Sequence, residues 1–148
     1  AIADYVSDAH GMIVVLTGGK SSLEKETADE IIRLCKTAQP VNLVAATTIA
    51  ELVATLSLAE IVLAPDTGPV HIASALGTKT IGLYAATNPD RAGPYNHRAF
   101  VANRYPEALS QYHQQNVDVA VWGKRIKTAE CMQLISVSDV IKQIEKLT

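Results

Sequence analysis

The side chains best suited to hold a ligand stand close together in the sequence, between Asp66 and His71. Gly68 has no Cβ, so a phosphate group can approach its backbone closely, and the Thr67 hydroxyl can donate to an oxygen atom. The spacing of Asp66 and His71 allows both side chains to flank one opening, where an imidazole can donate to a phosphate or sugar oxygen. These residues predict an anion site, and they leave open that Asp66 or Thr67 only caps a helix.

The elements around this group have the order strand, tight turn, short helix, turn, strand. The apolar run 61–64 predicts a buried strand, and a second run over 80–84 predicts another. Pro69 suits the start of a helix over 70–76, which Gly77 would end. In a parallel sheet this turn lies where a strand ends and a helix begins, and the free amides and helix dipole there favour a diphosphate.

A second glycine loop follows an earlier predicted strand. Gly18 and Gly19 precede a helix, but the third glycine of the dinucleotide fingerprint G-x-G-x-x-G is absent. Lys20 can face a phosphate, although a solvated loop lysine is the commoner case. Glu24 lies in the first turn of the helix, where a carboxylate can bind the two hydroxyls of a ribose or form a capping box with Ser21.

Arg91 lies in a loop over residues 85–97 that is rich in Asn, Pro and Gly. Loops that follow a strand in this way line ligand crevices in open α/β sheets, although a lone residue of this kind is more often ordinary surface.

Helices alternate with strands along the chain. This alternation predicts an α/β fold with a Rossmann-like parallel sheet, helices on both faces and a single domain over residues 1–148. The predicted helices cover residues 2–9, 23–35, 49–58, 70–76 and 136–147, and the predicted strands cover 12–16, 41–44, 61–64, 80–84 and 100–102. Residues 104–127 lack clear periodicity, so no element is predicted there.

The composition is that of an ordinary globular domain, with 48% hydrophobic and 19% charged residues. The formal net charge of −2 and the lack of a basic run weigh against a nucleic-acid partner. No apolar stretch approaches the ~20 residues of a membrane span. Cys35 and Cys131 are expected to be free thiols in a reducing compartment, and no residues have zinc-ligand spacing.

The string from Asp66 to Gly77, followed by Gly82-Leu83-Tyr84 and Gly93-Pro94-Tyr95, resembles the ADP-heptose:lipopolysaccharide heptosyltransferases of glycosyltransferase family 9. The family pattern is D-[ST]-G-x-x-H-x-A-x-A-x-G. Residues 14–19 and 130–135 resemble the family as well, and the resemblance is weakest over 98–127.

The resemblance implies the GT-B plan of two Rossmann-like domains, of which this chain would be the carboxyl-terminal, donor-binding one. The chain is therefore expected to be a fragment of a longer enzyme that transfers heptose from ADP-heptose to the lipopolysaccharide inner core with inversion. The catalytic base, an aspartate, is expected in the amino-terminal domain, which would also bind the acceptor, so no catalytic residue is assigned here. Metal-independent transfer is implied, in the cytoplasm or at the inner face of the bacterial inner membrane.

Carried over by motif, Thr67 and Gly68 would hold the diphosphate, and His71 would lie beside the diphosphate and the heptose. Asp66 matches the acid of the motif, and Glu24 would bind the adenosine ribose. The residues expected at the donor site are Asp66, Thr67, Gly68, His71, Glu24, Gly18 and Gly19, with Lys20 and Arg91 as further candidates.

Two alternatives remain at this point. The chain can be a self-contained nucleotide- or phosphate-binding Rossmann module without transferase activity, or a GT-B domain that uses a UDP-sugar. Binding of ADP compared with UDP separates the donors.

Overall fold

The computed structural model describes all 148 residues, which form two compact units over Ala1–Ala54 and Thr55–Thr148. The helices are α1 (Ile2–His10), α2 (Ser22–Leu34), α3 (Ile49–Leu58), α4 (Gly68–Ala75), α5 (Pro89–Ala92), α6 (Tyr105–His113) and α7 (Val137–Ile144). The strands are β1 (Val15–Leu16), β2 (Val41–Asn42), β3 (Ile61–Pro65), β4 (Lys79–Tyr84) and β5 (Val101–Asn103). All strand pairs are parallel, which confirms the predicted α/β class.

In the first unit, β1 and β2 pair with Val15 opposite Val41. Backbone pairing continues past the strands, because the N–H of Ala45 donates to the carbonyl of Gly18 at 3.0 Å. This bond holds the start of the glycine loop against the segment that follows β2.

The prediction of a buried strand over residues 12–16 is wrong in length and in burial. The strand is two residues long, and the side chains of Ile13 and Val15 are 80% and 41% exposed. No element covers these side chains, so this apolar run forms no core. The buried apolar residues of the first unit are Ala28 and Ala38.

In the second unit, three parallel strands lie in the order β3-β4-β5. Pro65 is opposite Leu83, and Tyr84 is opposite Asn103, so the carboxyl ends of all three strands meet at one edge. Helix α4 packs against β3 and β4. The buried side chains of these three elements include Val62, Ala64, Val70, Ala73, Ile81 and Tyr84.

The segment predicted as a loop over residues 85–97 contains α5 and a 3₁₀ turn over Tyr95–His97. Asn88 caps α5 by accepting the backbone N–H two residues later at 2.9 Å. The hydroxyl of the fully buried Tyr84 donates to the carbonyl of Ala92 at 2.6 Å. This bond holds the segment at the carboxyl edge of the sheet.

Residues 104–127, where the sequence predicts no element, begin with α6. Its buried residues Tyr105 and Leu109 are four apart, and they belong to a core cluster that also contains Ile126 and Cys131. The carboxyl-terminal part of the chain therefore has a core of its own.

Helix α7 begins with a capping box in which Ser136 and Asp139 exchange side-chain and backbone hydrogen bonds. Asp139 also accepts from Arg104 at 2.6 Å, which ties α7 to the start of α6. The Arg104 guanidinium and the Ser136 amide hold the pKa of Asp139 well below its usual range.

Candidate functional site

The turn between β3 and α4 is the one expected to hold an anion. β3 ends at Pro65 and α4 begins at Gly68, so the turn lies at the carboxyl end of a parallel strand, as predicted. Thr67 occupies the N-cap position, but its hydroxyl donates to the carbonyl of Pro65 at 3.2 Å and no side chain caps the helix. The alternative in which Asp66 or Thr67 serves only as a cap is therefore wrong.

The N–H of Gly68 has no partner within the chain. Gly68 is exposed, and a Cβ built on it would meet no atom within 4 Å. Its φ lies outside the left-handed region, so backbone conformation does not require glycine here either. The next residue, Pro69, has no N–H to offer. The first N–H of this helix, that of Gly68, is therefore without a hydrogen-bond partner in the chain, and it lies at the positive end of the helix dipole.

Asp66 and His71 contact each other across this turn. The Nε2 atom of His71 lies 3.2 Å from Oδ1 of Asp66, and the side chains are 47% and 26% exposed. When Nε2 is engaged by the carboxylate, Nδ1 is left for another partner. The two side chains therefore lie side by side at this turn.

The fully buried Tyr84 lies at the end of β4, at the same edge of the sheet as this turn. Burial, and then the nearby carboxylate of Asp66, raise the pKa of Tyr84 well above its usual value. A Cβ on Gly82 would lie 2.4 Å from Cε2 of the Tyr84 ring, so the strand needs glycine two residues before the tyrosine. Sequence reasoning missed this packing. The available signal was the Gly-x-Tyr spacing, because side chains two apart on a strand share a face.

The second glycine loop is closed by its own helix. The N–H of Gly19 donates to Oε1 of Glu24 at 3.0 Å, and the Ser21 hydroxyl donates to Oε2 at 2.7 Å. In return, the N–H of Glu24 donates to the Ser21 hydroxyl at 3.2 Å, which confirms the predicted capping interaction. Hydrogen bonds from the Ser21 hydroxyl and the Gly19 amide lower the pKa of Glu24.

The two glycines of this loop face the same carboxylate. A Cβ on Gly19 would lie 3.0 Å from Oε2 of Glu24, and one on Gly18 would lie 3.3 Å from Oε1. A larger residue at either position would therefore press on the carboxylate of Glu24, which would have to shift by a few tenths of an ångström. Lys20 is exposed beside them.

Arg91, in α5, is exposed and lies against a turn further along the chain. A Cβ on Gly123 would come within 3.3 Å of its Cδ and Nε atoms. Burial raises the pKa of Tyr105, and the positive charge of Arg91 opposes that rise.

The sequence-predicted residues thus fall into separate groups. Asp66, Thr67, Gly68 and His71 come together in the second unit, whereas Gly18, Gly19 and Glu24 come together in the first. No group of three or more His, Cys, Asp or Glu side chains is arranged to hold a metal ion. Cys35 and Cys131 are free thiols, as predicted. None of the helices has the length and apolarity that crossing a bilayer demands.

These features define a parallel α/β protein with an uncapped helix start at the carboxyl edge of its sheet. The sequence profile of glycosyltransferase family 9 (heptosyltransferase) matches residues 2–119, well over half of the chain. The chain therefore belongs to this family.

Curated relatives of this chain include two heptosyltransferases. The lipopolysaccharide core heptosyltransferase OpsX of Haemophilus influenzae is 34% identical over 142 residues, which are 96% of this chain and 41% of OpsX. The lipopolysaccharide heptosyltransferase 2 of Escherichia coli K12 is 29% identical in an alignment 120 residues long that covers 74% of this chain and 34% of the relative. The chain thus spans about two fifths of the length of such relatives.

Solved structures share the fold. A family 9 glycosyltransferase of Veillonella parvula superposes with a TM-score of 0.73 at 22% identity, over 99% of this chain and 39% of that one. The ADP-heptose lipopolysaccharide heptosyltransferase II of Escherichia coli gives 0.67 at 21% identity, over 99% of this chain and 41% of its own.

Proposed function

We propose that this chain is the donor-binding domain of an inverting heptosyltransferase of two domains, in which it binds ADP-heptose for transfer to the lipopolysaccharide inner core. Membership of family 9 and the likeness to OpsX support the reaction class. In this proposal, the other domain carries the catalytic base and binds the acceptor, and the enzyme needs no metal cofactor. The enzyme would act in the cytoplasm or at the inner face of the inner membrane.

The observation that carries the proposal is the open amide of Gly68. No side chain caps α4, and a Cβ placed at that residue would meet no atom within 4 Å apart from its chain neighbours and the backbone of its own helix. A glycine that neither packing nor backbone conformation requires is explained if a ligand oxygen approaches there. A diphosphate oxygen fits, because an anion at a helix start is favoured by free N–H groups and by the dipole.

The same amide would act on the transition state. As the acceptor oxygen attacks the anomeric carbon, the bond to the nucleoside diphosphate breaks and negative charge builds on the leaving oxygen. The Gly68 N–H, with the Thr67 hydroxyl beside it, would stabilise that charge in the way that an oxyanion hole does. The imidazole of His71, oriented by Asp66, would form a hydrogen bond with the diphosphate or the heptose through Nδ1.

The other candidates have more distant roles in this proposal. Glu24 would accept hydrogen bonds from the ribose hydroxyls, since each carboxylate oxygen has a second lone pair beyond the bonds from Ser21 and Gly19. Gly18 and Gly19 would leave room for the nucleoside. Lys20 and Arg91 would add positive charge near the phosphates.

Calorimetric titration of the chain with ADP and with UDP tests the proposal. ADP is expected to bind more tightly than UDP, and Gly68→Val is expected to weaken ADP binding by about tenfold or more, because the new side chain fills the space beside the amide. Ala50→Val, which places the same side chain in the first turn of α3, is the matched control and should bind ADP normally.

The outcomes separate the parts of the proposal. If Gly68→Val binds ADP as tightly as the control, the diphosphate site at α4 is wrong. If UDP binds more tightly than ADP, the phosphate site stands and the ADP-sugar donor is wrong. In the full-length enzyme, transfer from ADP-heptose should fall in Gly68→Val and persist in Ala50→Val, and a full-length protein that binds ADP without transfer would favour the nucleotide-binding module.

A further inference from the structure

The segment over residues 119–124, between α6 and α7 in the sequence, forms an apolar turn on the second unit. The side chains of Val119, Val121 and Trp122 are 74%, 77% and 68% exposed. Trp122 is the only tryptophan of the chain. Three large apolar side chains within four residues are unusual on a surface, because each loses favourable burial free energy when it faces water.

This turn is held in place. Lys124 donates from its backbone N–H to the carbonyl of Val121 at 2.9 Å, and Gly123 supplies the positive φ of 86° that such a turn requires. The carbonyl of Lys124 accepts from the hydroxyl of the buried Tyr105 at 2.8 Å. Ile126 is 2% exposed and donates from its N–H to the carbonyl of Ala86. The apolar side chains therefore project from a fixed backbone.

Positive charge surrounds the turn. Ile126 points into the core, and its neighbours Arg125 and Lys127 are exposed on either side of it. Lys124 belongs to the turn, and the Arg91 side chain lies against its glycine. None of these four cations forms a salt bridge within the chain. The nearby carboxylates in the sequence are Asp90, Asp118 and Glu130, one fewer than the four cations.

We infer that residues 119–127 form a membrane-contact turn that inserts Val121 and Trp122 into the headgroup region of an anionic lipid bilayer. Tryptophan prefers the membrane interface, where its ring is buried and its N–H is wet. Exposed Lys and Arg side chains beside it are attracted to anionic headgroups. The combination of a fixed apolar tip and unpaired cations favours this partner over an apolar protein surface, which would leave the cations without partners. This inference does not depend on the proposed donor site.

The single tryptophan provides a direct test with the full chain. Its emission is recorded as vesicles of phosphatidylglycerol or of phosphatidylcholine are added, and the fraction bound is measured by sedimentation. The account predicts a blue shift and binding with the anionic vesicles, quenching when brominated lipids are included, and much weaker effects with the zwitterionic ones.

Variants assign any binding to the turn. Trp122→Ser is expected to lower the partition coefficient by about tenfold, as the loss of one inserted aromatic side chain implies. Leu23→Ser removes an apolar side chain that is 71% exposed and lies outside the turn, so it should leave the partition coefficient unchanged. Arg125→Gln with Lys127→Gln should lower partitioning by about tenfold or more, whereas Lys142→Gln with Lys146→Gln, equal in charge, should change it little.

Three results would overturn the inference. The first is an absence of binding to anionic vesicles, and the second is binding that Trp122→Ser leaves unchanged. The third is a blue shift that grows with protein concentration without lipid, since that would show the turn covered by a second copy of the chain. The melting temperature of each variant verifies that it is folded.

Discussion

Two helix starts in this protein have glycine at or just before them, and they differ in how they are capped. At α2, Glu24 turns back and accepts from Ser21 and Gly19, so the loop is filled by a carboxylate of the protein. At α4, no side chain caps the helix, and a Cβ placed on Gly68 would have open space around it. One start has a side-chain cap, and the other has none.

The contrast shows which glycines carry functional information. At Gly18 and Gly19 the carboxylate of Glu24 is near enough to explain why larger residues would crowd the loop. At Gly68 neither packing nor backbone geometry excludes a side chain. A glycine that the folded chain does not need is the better indicator of a ligand, and this criterion requires coordinates in addition to sequence.

The largest expected effect on stability is that of a substitution at a third glycine, Gly82. Gly82→Ala places a Cβ 2.4 Å from the ring of Tyr84, which cannot easily move because it is fully buried and bonded to Ala92. We expect a loss of about 1–3 kcal/mol in the free energy of unfolding, as overpacking produces. Gly68→Ala, the matched control, should lose none, and equal losses in denaturant unfolding would contradict this account.

The caps themselves provide the next comparison. Ser21→Ala removes the side chain that caps α2 and is expected to cost about 1 kcal/mol. Thr67→Ala, at the N-cap position of α4, removes a hydroxyl that caps nothing and should change stability by less than about 0.5 kcal/mol. Urea unfolding of both variants measures the difference, and a larger cost for Thr67→Ala would show that α4 is capped after all.

The smallest expected effect is a pH dependence of the stability that Glu24 gives to α2. The Ser21 hydroxyl and the Gly19 amide lower the pKa of Glu24 in the folded chain. Its contribution to stability is therefore complete above the ordinary glutamate pKa and is lost as the pH falls through the lowered folded value. Carboxyl NMR titration should give a pKa for Glu24 below 4.5 that rises in Ser21→Ala, and an ordinary value in both proteins would refute the closed loop.

Much of the fold could be predicted where the signal is local. The capping pairs that begin α2 and α3 are three residues apart, and the structure forms both. Gly77 ends α4 with a positive φ of 80°, as its position after the helix predicts. The turn between β3 and α4 also follows from short-range signals.

The remainder depended on contacts between distant residues. α6 has little periodicity in the sequence, and its buried side chains are explained by packing on Ile126 and Cys131. The exposure of Ile13 depends on which elements cover it, and no apolar run encodes that. Likewise, whether Thr67 caps α4 could not be decided until the direction of its hydroxyl was known.

The most direct test of the open helix start is an NMR titration of the chain with ADP, followed at two backbone amides of α4. The Gly68 amide, which has no partner, should shift progressively and saturate. The Gly77 amide at the other end of the helix, which already donates to the Ser74 carbonyl at 3.2 Å, should stay nearly constant. If the Gly68 amide does not move at millimolar ADP, or moves no more than that of Gly77, the diphosphate does not bind at this turn and the central claim is wrong.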